Sequence, residues 1–150
     1  MSRWTDSLIA FGIGAALLAA MLVVGDLLYV GVWYYPVCWV ALVGLVQLAK
    51  APPLLTSGAA SALVLSCLLY WAWQVSLPRP DGLLGLGHLF SLSGLGIAAV
   101  AAALIARRKQ MGPWTAFLTG LLACCAGFAS AQWLVCRTMQ YCGVLSGPLG

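Results

Sequence analysis

The chain alternates long apolar runs with isolated charges. Its charged residues are Arg3, Asp6, Asp26, Lys50, Arg79, Asp81, Arg107, Arg108, Lys109 and Arg137. They leave five charge-free stretches, 7–25, 27–49, 51–78, 82–106 and 110–136, each between 19 and 28 residues long. A helix needs about 20 apolar residues to cross the hydrocarbon core of a bilayer. Lipid offers an unpaired backbone no hydrogen-bond partner, so each stretch predicts one membrane-spanning helix. None shows the period-two alternation of a transmembrane barrel strand. The expected fold is all-α: a polytopic bundle of five transmembrane helices in one integral membrane domain.

The boundaries follow from local signals. The first span is expected over about 8–25, with Thr5, Asp6 and Ser7 as N-cap candidates. Arg3 before an apolar run also fits a signal peptide; the segment is read as a retained anchor. The second span is the shortest, because Pro36 interrupts it and only 13 residues run from Val37 to Ala49. Those would cover about 20 Å. Starting the helix near Gly31 puts Pro36 in its first turn, where a missing N–H costs least, and gives a span of about 31–49. Lys50 and Pro52-Pro53 end it. The remaining spans are expected over about 54–77, 83–106 and 114–136, with a proline-rich turn at 78–82 and a short periplasmic tail over 137–150.

Arg107-Arg108-Lys109 is the only charge cluster, and it fixes orientation. Basic loops stay in the cytoplasm. With five spans and the N-terminus inside, Arg3, Lys50 and the triplet face inward, while Arg79 and Arg137 face outward. Without a second span, Arg3 and the triplet would fall on opposite sides. An N-in, C-out protein of the cell inner (cytoplasmic) membrane is expected.

Composition agrees. Of 150 residues, 63% are hydrophobic and 7% charged, and the mean hydropathy is +1.03. So few charges cannot clothe a water-soluble domain. The net charge of +4 is no nucleic-acid signature, since the basic residues outside the triplet are dispersed. The expected partners are the lipid bilayer and another membrane or periplasmic protein, with no nucleic acid.

Small residues spaced four apart let membrane helices approach closely. The fourth span carries Gly94, Ala98, Ala102 and Ala106; the first Ala15-Ala19 and Ala16-Ala20; the third Gly58-Ala62; the fifth Gly127-Ala131. This pattern predicts a bundle centred on the fourth span. Aromatics are one-sided. Of twelve Trp and Tyr, only Trp4 and Trp114 map to the cytoplasmic boundary. Tyr29, Trp33, Tyr34, Tyr35, Trp39, Tyr70, Trp71, Trp73, Trp133 and Tyr141 map to the outer half. Trp33, Tyr34, Tyr35, Trp71, Trp73 and Trp133 are candidate partner contacts, since such rings anchor interfaces.

Candidate chemistry is sparse. Cys67, Cys124 and Cys125 fall mid-span, where free cysteine behaves as a small hydrophobe. The adjacent Cys124-Cys125 resembles the paired intramembrane cysteines of small mercuric-ion transport proteins over those two residues alone, without a second pair. Cys136 and Cys142 sit where disulfides persist, and a bridge between them is expected; Cys38 on the same side could pair with either. His88, the only histidine, lies within a span and is a polar-site candidate, with a bond to a neighbouring helix as its bland reading. Asp26 is expected at the outer interface beside Arg79 or Arg137; a longer first helix would make it a coupling carboxylate. Gln47, Gln74 and Gln132 read as interhelical hydrogen-bond donors. No catalytic set, metal site, cofactor loop or nucleotide fingerprint occurs.

The expected function is non-enzymatic contact in the membrane, as an immunity protein against a membrane-targeting toxin or an accessory subunit of a membrane complex. The alternatives are a small transporter or channel using Asp26 and His88, and a periplasm-facing thiol-disulfide protein using Cys38, Cys136 and Cys142.

Overall fold

The computed structural model describes residues 3–26, 28, 30–77 and 83–138. Those residues form five helices: α1 (Arg3–Val24), α2 (Tyr34–Leu48), α3 (Leu55–Ser76), α4 (Leu83–Arg108) and α5 (Pro113–Thr138). Four of them, α1, α3, α4 and α5, are long and apolar enough to cross a membrane. The fifth, α2, has 15 residues, about 22 Å of helix.

The local signals place the ends well. Pro36 is the third residue of α2, where its missing N–H breaks no helical bond. Pro113 opens α5, the position that favours its fixed φ. At α2's end the N–H of Lys50 reaches the Gln47 carbonyl (2.9 Å) and that of Ala51 reaches Val46 (3.4 Å). This is a Schellman turn with Lys50 in the left-handed region at φ 55°. The same pair of bonds closes α4 around Gln110, at φ 47°.

Three expectations need correction. First, α1 begins at Arg3, so Thr5, Asp6 and Ser7 lie inside it and do not cap it. The Asp6 carboxylate instead bonds the start of α3. Second, α5 includes residues 137 and 138, which were expected in the tail; residues 139–150 lie outside the described residues. Third, the central helix is α3 and not α4. The helix α3 touches each of the other four, whereas α1 packs only on α2 and α3. The α3 span is 67% buried against 33% for α4. Its first turns read Thr-Ser-Gly-Ala-Ala, thin on every side, so neighbours can close in all round.

The expected small-residue stripes meet where α4 crosses α5. A Cβ added to Gly127 would lie 2.5 Å from the Ala98 Cβ, and one added to Gly94 would lie 2.6 Å from the Ala131 Cβ. The two backbones are therefore in contact. On α1, however, Ala15, Ala16, Ala19 and Ala20 face outward. Its packed stripe is Asp6, Ala10, Gly14, Leu17 and Met21, with the Trp39 ring of α2 pressed onto Gly14.

Side-chain bonds show how the helices alternate. Gln47, near the end of α2, bonds Ser7 at the start of α1 (3.0 Å) and Thr56 at the start of α3 (3.3 Å). Tyr34 and Tyr35, at its start, bond His88 early in α4 and Asp26 after α1. The helix α2 thus runs between the two ends of the bundle, antiparallel to α1 and α3 and parallel to α4.

Candidate functional site

The polar side chains gather at the end of the bundle where α2 and α4 begin. His88 is the hub. It is 0% exposed and ringed by Tyr70 (centroids 4.7 Å), Phe128 (5.4 Å) and Tyr34 (5.8 Å). Its Nδ1 lies 2.5 Å from the Tyr34 hydroxyl, and its Nε2 lies 3.1 Å from the Ser66 hydroxyl. Ser66 donates its own hydrogen to the Leu63 carbonyl at 2.7 Å. One arrangement then satisfies every hydrogen: Nε2–H donates to Ser66, and Nδ1 accepts from Tyr34. A neutral imidazole so placed joins α2, α3 and α4. The Cys67 thiol stands 4.0 Å from Nε2, and Cys38 is within bonding reach of the Tyr34 hydroxyl.

A second group joins α3, α4 and α5 beside it. The Tyr70 hydroxyl donates to Gln132 Oε1, as does Ser91 at 2.5 Å, and Gln132 Nε2 donates to the Cys136 sulfur at 3.1 Å. A third closes the α1–α2 connection. Asp26 accepts from the backbone N–H of Leu28 (3.2 Å) and Gly31 (2.5 Å) and from the Tyr35 hydroxyl (2.9 Å). Tyr35 in turn accepts from the Trp71 indole N–H at 3.2 Å. Edge contacts between Tyr34 and Tyr35 and between Tyr35 and Trp71 link this group to the histidine. Such side-chain bonds between membrane helices average about 0.6 kcal/mol each, so their number matters more than any one.

The opposite end holds a group that residue types alone did not reveal. Asp6 is 1% exposed and accepts from the N–H of Thr56 (3.2 Å), the N–H of Ser57 (2.9 Å) and the Ser57 hydroxyl (2.5 Å). Leu54, at the N-cap of α3, has φ 70° and no side-chain cap to give. A carboxylate from another helix supplies what the local sequence lacks, and it sits favourably at the positive end of α3.

The residues singled out from sequence are thus partly united. His88 has a partner on a neighbouring helix, as its bland reading held, and Asp26 lies in a loop after α1. Gln47 donates between helices as expected, whereas Gln132 accepts from Tyr70 and Ser91 on its neighbours and donates to Cys136 within α5. Arg107, Arg108 and Lys109 are exposed at the end of α4. The candidate contact aromatics divide: Tyr35 and Trp71 are buried and Tyr34 is turned onto His88, so these three belong to the interior and not to an open surface. Trp33 is 82% exposed, Trp133 is exposed beneath the Arg137 guanidinium (4.9 Å), and Trp73 is half-buried. The expected Arg137–Asp26 contact is replaced by that stacking. Cys142, Arg79, Tyr29 and Tyr141 lie outside the described residues, as does the expected Cys136–Cys142 bridge. Cys38, Cys67, Cys124 and Cys125 are free. Among the described residues no group of three or more His, Cys, Asp or Glu could hold a metal.

No family model, curated protein or solved structure matches the chain.

Proposed function

We propose that the chain is a non-enzymatic protein of the cell inner membrane that acts by contact with another protein. In this reading it has five spans, with its N-terminus in the cytoplasm and its C-terminus outside. The observation that carries the reading is the state of His88. His88 is fully buried, with both ring nitrogens used to tie three helices together. Asp26 likewise organises a loop, so both groups of the transporter reading are engaged in bonds within the bundle. Of the candidate contact aromatics, Trp33 and Trp133 are exposed at that end. Rings of this kind, with a stacked Arg137, suit a protein partner on the outer side. A bridge between Cys136 and Cys142 would brace the tail next to them.

Five crossings are supported by the placement of α2, whose ends meet opposite ends of α1 and α3. The basic residues Lys50, Arg107, Arg108 and Lys109 then share one side, as inward-facing loops should. Labelling of single cysteines placed at Lys50 and Lys109 in intact cells tests this: both should resist an impermeant maleimide. Labelling of either would reverse the orientation.

Two roles fit a contact protein of this kind, an immunity protein against a membrane-targeting toxin and an accessory subunit of a membrane complex. Crosslinking in native membranes from photoreactive residues at Trp33 and Trp133 separates them. Capture of a toxin, with resistance lost on deletion, supports the first; capture of a stable complex supports the second. Capture of nothing at either position, with the protein correctly folded, would end the contact reading.

A further inference from the structure

The helices α2 and α4 are parallel neighbours that do not close on each other along their middle. Between them, floored by Leu63 of α3, lies a groove of about 270 Å³ that opens sideways onto the apolar flank of the bundle. Cys38, Ala41 and Leu45 form one wall, and Ser93 and Gly96 form part of the other. The gap comes from side chains that are small. A Cβ on Gly96 would still be 3.7 Å from the Leu45 side chain, and Ala41 and Ser93 add little bulk.

Its lining restricts what can fill it. From Cys38 to Leu45 the groove runs about 10 Å along α2. Its walls and floor are apolar except for Cys38 and Ser93, so a hydrocarbon chain is the occupant they suit.

The ends of the same two helices say which hydrocarbon. Because α2 and α4 are parallel, both finish at the same end of the bundle, α2 at Lys50 and α4 at Arg107, Arg108 and Lys109, all exposed. Lys50 lies about 7 Å beyond the Leu45 level of the groove, and Arg107 about 16 Å beyond the Gly96 level. One leaflet of hydrocarbon is about 15 Å deep. A chain hung from the Lys50 level therefore reaches through most of the groove, with Lys50 beside its headgroup and Arg107 about 9 Å further out along α4. We propose that the groove between α2 and α4 binds one acyl chain of an anionic phospholipid, whose phosphate is held by the basic residues that end those helices.

The inference rests on the membrane location alone and not on any protein partner, so failure of the crosslinking above would leave it standing. The test is native mass spectrometry of the whole protein in mild detergent with equal amounts of phosphatidylglycerol and phosphatidylcholine bearing the same chains. One phosphatidylglycerol should be retained per protein, with about a fivefold preference for each basic residue engaged. Gly96→Leu, whose Cβ meets only an ordinary contact with Leu45, fills the groove and should lower retention of both lipids by at least fivefold. Arg107→Gln with Arg108→Gln changes only exposed positions and should lower the preference for phosphatidylglycerol by about 25-fold. Equal retention of the two lipids by the unaltered protein would overturn the assignment of the headgroup. Undiminished retention in the Gly96→Leu protein would overturn the assignment of the groove, as would the same loss from Ala16→Leu on the outward face of α1.

Discussion

Asp6 and Asp26 stand at opposite ends of α1 and perform the same task by different routes. Each carboxylate gathers backbone N–H groups, Asp6 at the entrance to α3 and Asp26 in the loop that leads to α2. Asp26 does so locally, for residues 2 and 5 positions ahead, in a loop that turns through Gly25 and Gly31 at φ 95° and 93°. Asp6 does so across the bundle, for residues 50 and 51 positions away. The connections at its end turn through Lys50, Leu54 and Gln110, all in the left-handed region without glycine. One end is thus held by relaxed local geometry. The other carries backbone strain, offset by a buried long-range cap.

The comparison gives an order of effects. Asp6→Ala strips two buried N–H groups of their acceptor at once, while the Ser57 hydroxyl keeps the Asp6 carbonyl at 3.2 Å. Each such group costs about 1–3 kcal/mol when left unpaired, and part of that is recovered by local shifts, so a loss of about 3 kcal/mol is expected. Asp26→Ala affects a half-buried loop where water can replace the carboxylate, and about 1 kcal/mol is expected. Unfolding of both variants in mixed detergent micelles measures the difference. If the two losses were equal, the distinction between a local and a long-range cap would collapse. Asp6→Asn keeps one acceptor oxygen and should fall between them.

The histidine cluster sharpens the comparison from the other side, since it joins helices without a formal charge. His88→Leu leaves the Tyr34 hydroxyl and the Nε2-bonded Ser66 without their partner in a closed interior, for about 2 kcal/mol. In a double-mutant cycle with Tyr34→Phe, the coupling should be about 0.6 kcal/mol. A coupling near zero would make the 2.5 Å Tyr34–His88 contact incidental to stability.

These pairs mark the limit of what the sequence discloses. The charge-free stretches gave all five helices to within a few residues, and Pro36 placed the start of α2, because those signals act within a turn or two. The meeting of Gly94 and Ala98 with Gly127 and Ala131 was legible as two stripes, though not as a mutual contact. The centrality of α3 was hidden. An alanine-rich α4 and a Thr-Ser-Gly-Ala start to α3 read alike until their rotations about their axes are known. The same unknown rotation sent α1's alanine pairs outward and turned Tyr35 and Trp71 inward. Contacts such as Asp6 with Ser57 and Tyr34 with His88 span more than fifty residues, and nothing local at either position names the partner.

The smallest effect tests the strain assigned to the Asp6 end. Lys50 and Gln110 each hold the left-handed position of a Schellman turn, which glycine occupies without a clash at Cβ. A non-glycine residue there costs about 1 kcal/mol, of which glycine returns only a part because it also frees the unfolded chain. Lys50→Gly and Gln110→Gly should therefore each stabilise the bundle by about 0.5 kcal/mol, in the same micelle assay. The two turns are at the ends of different helices and share no bond, so the gains should add. Destabilisation by either would mean that the side chain replaced contributes more through its contacts than its backbone loses through φ. For Lys50, which also stands at the mouth of the α2–α4 groove, that outcome can be separated from lost lipid contact by repeating the measurement with and without phosphatidylglycerol. A penalty seen only with the lipid present belongs to the headgroup. One seen in both conditions would remove strain from the account of this end and leave Asp6 as an ordinary cap on an unstrained turn.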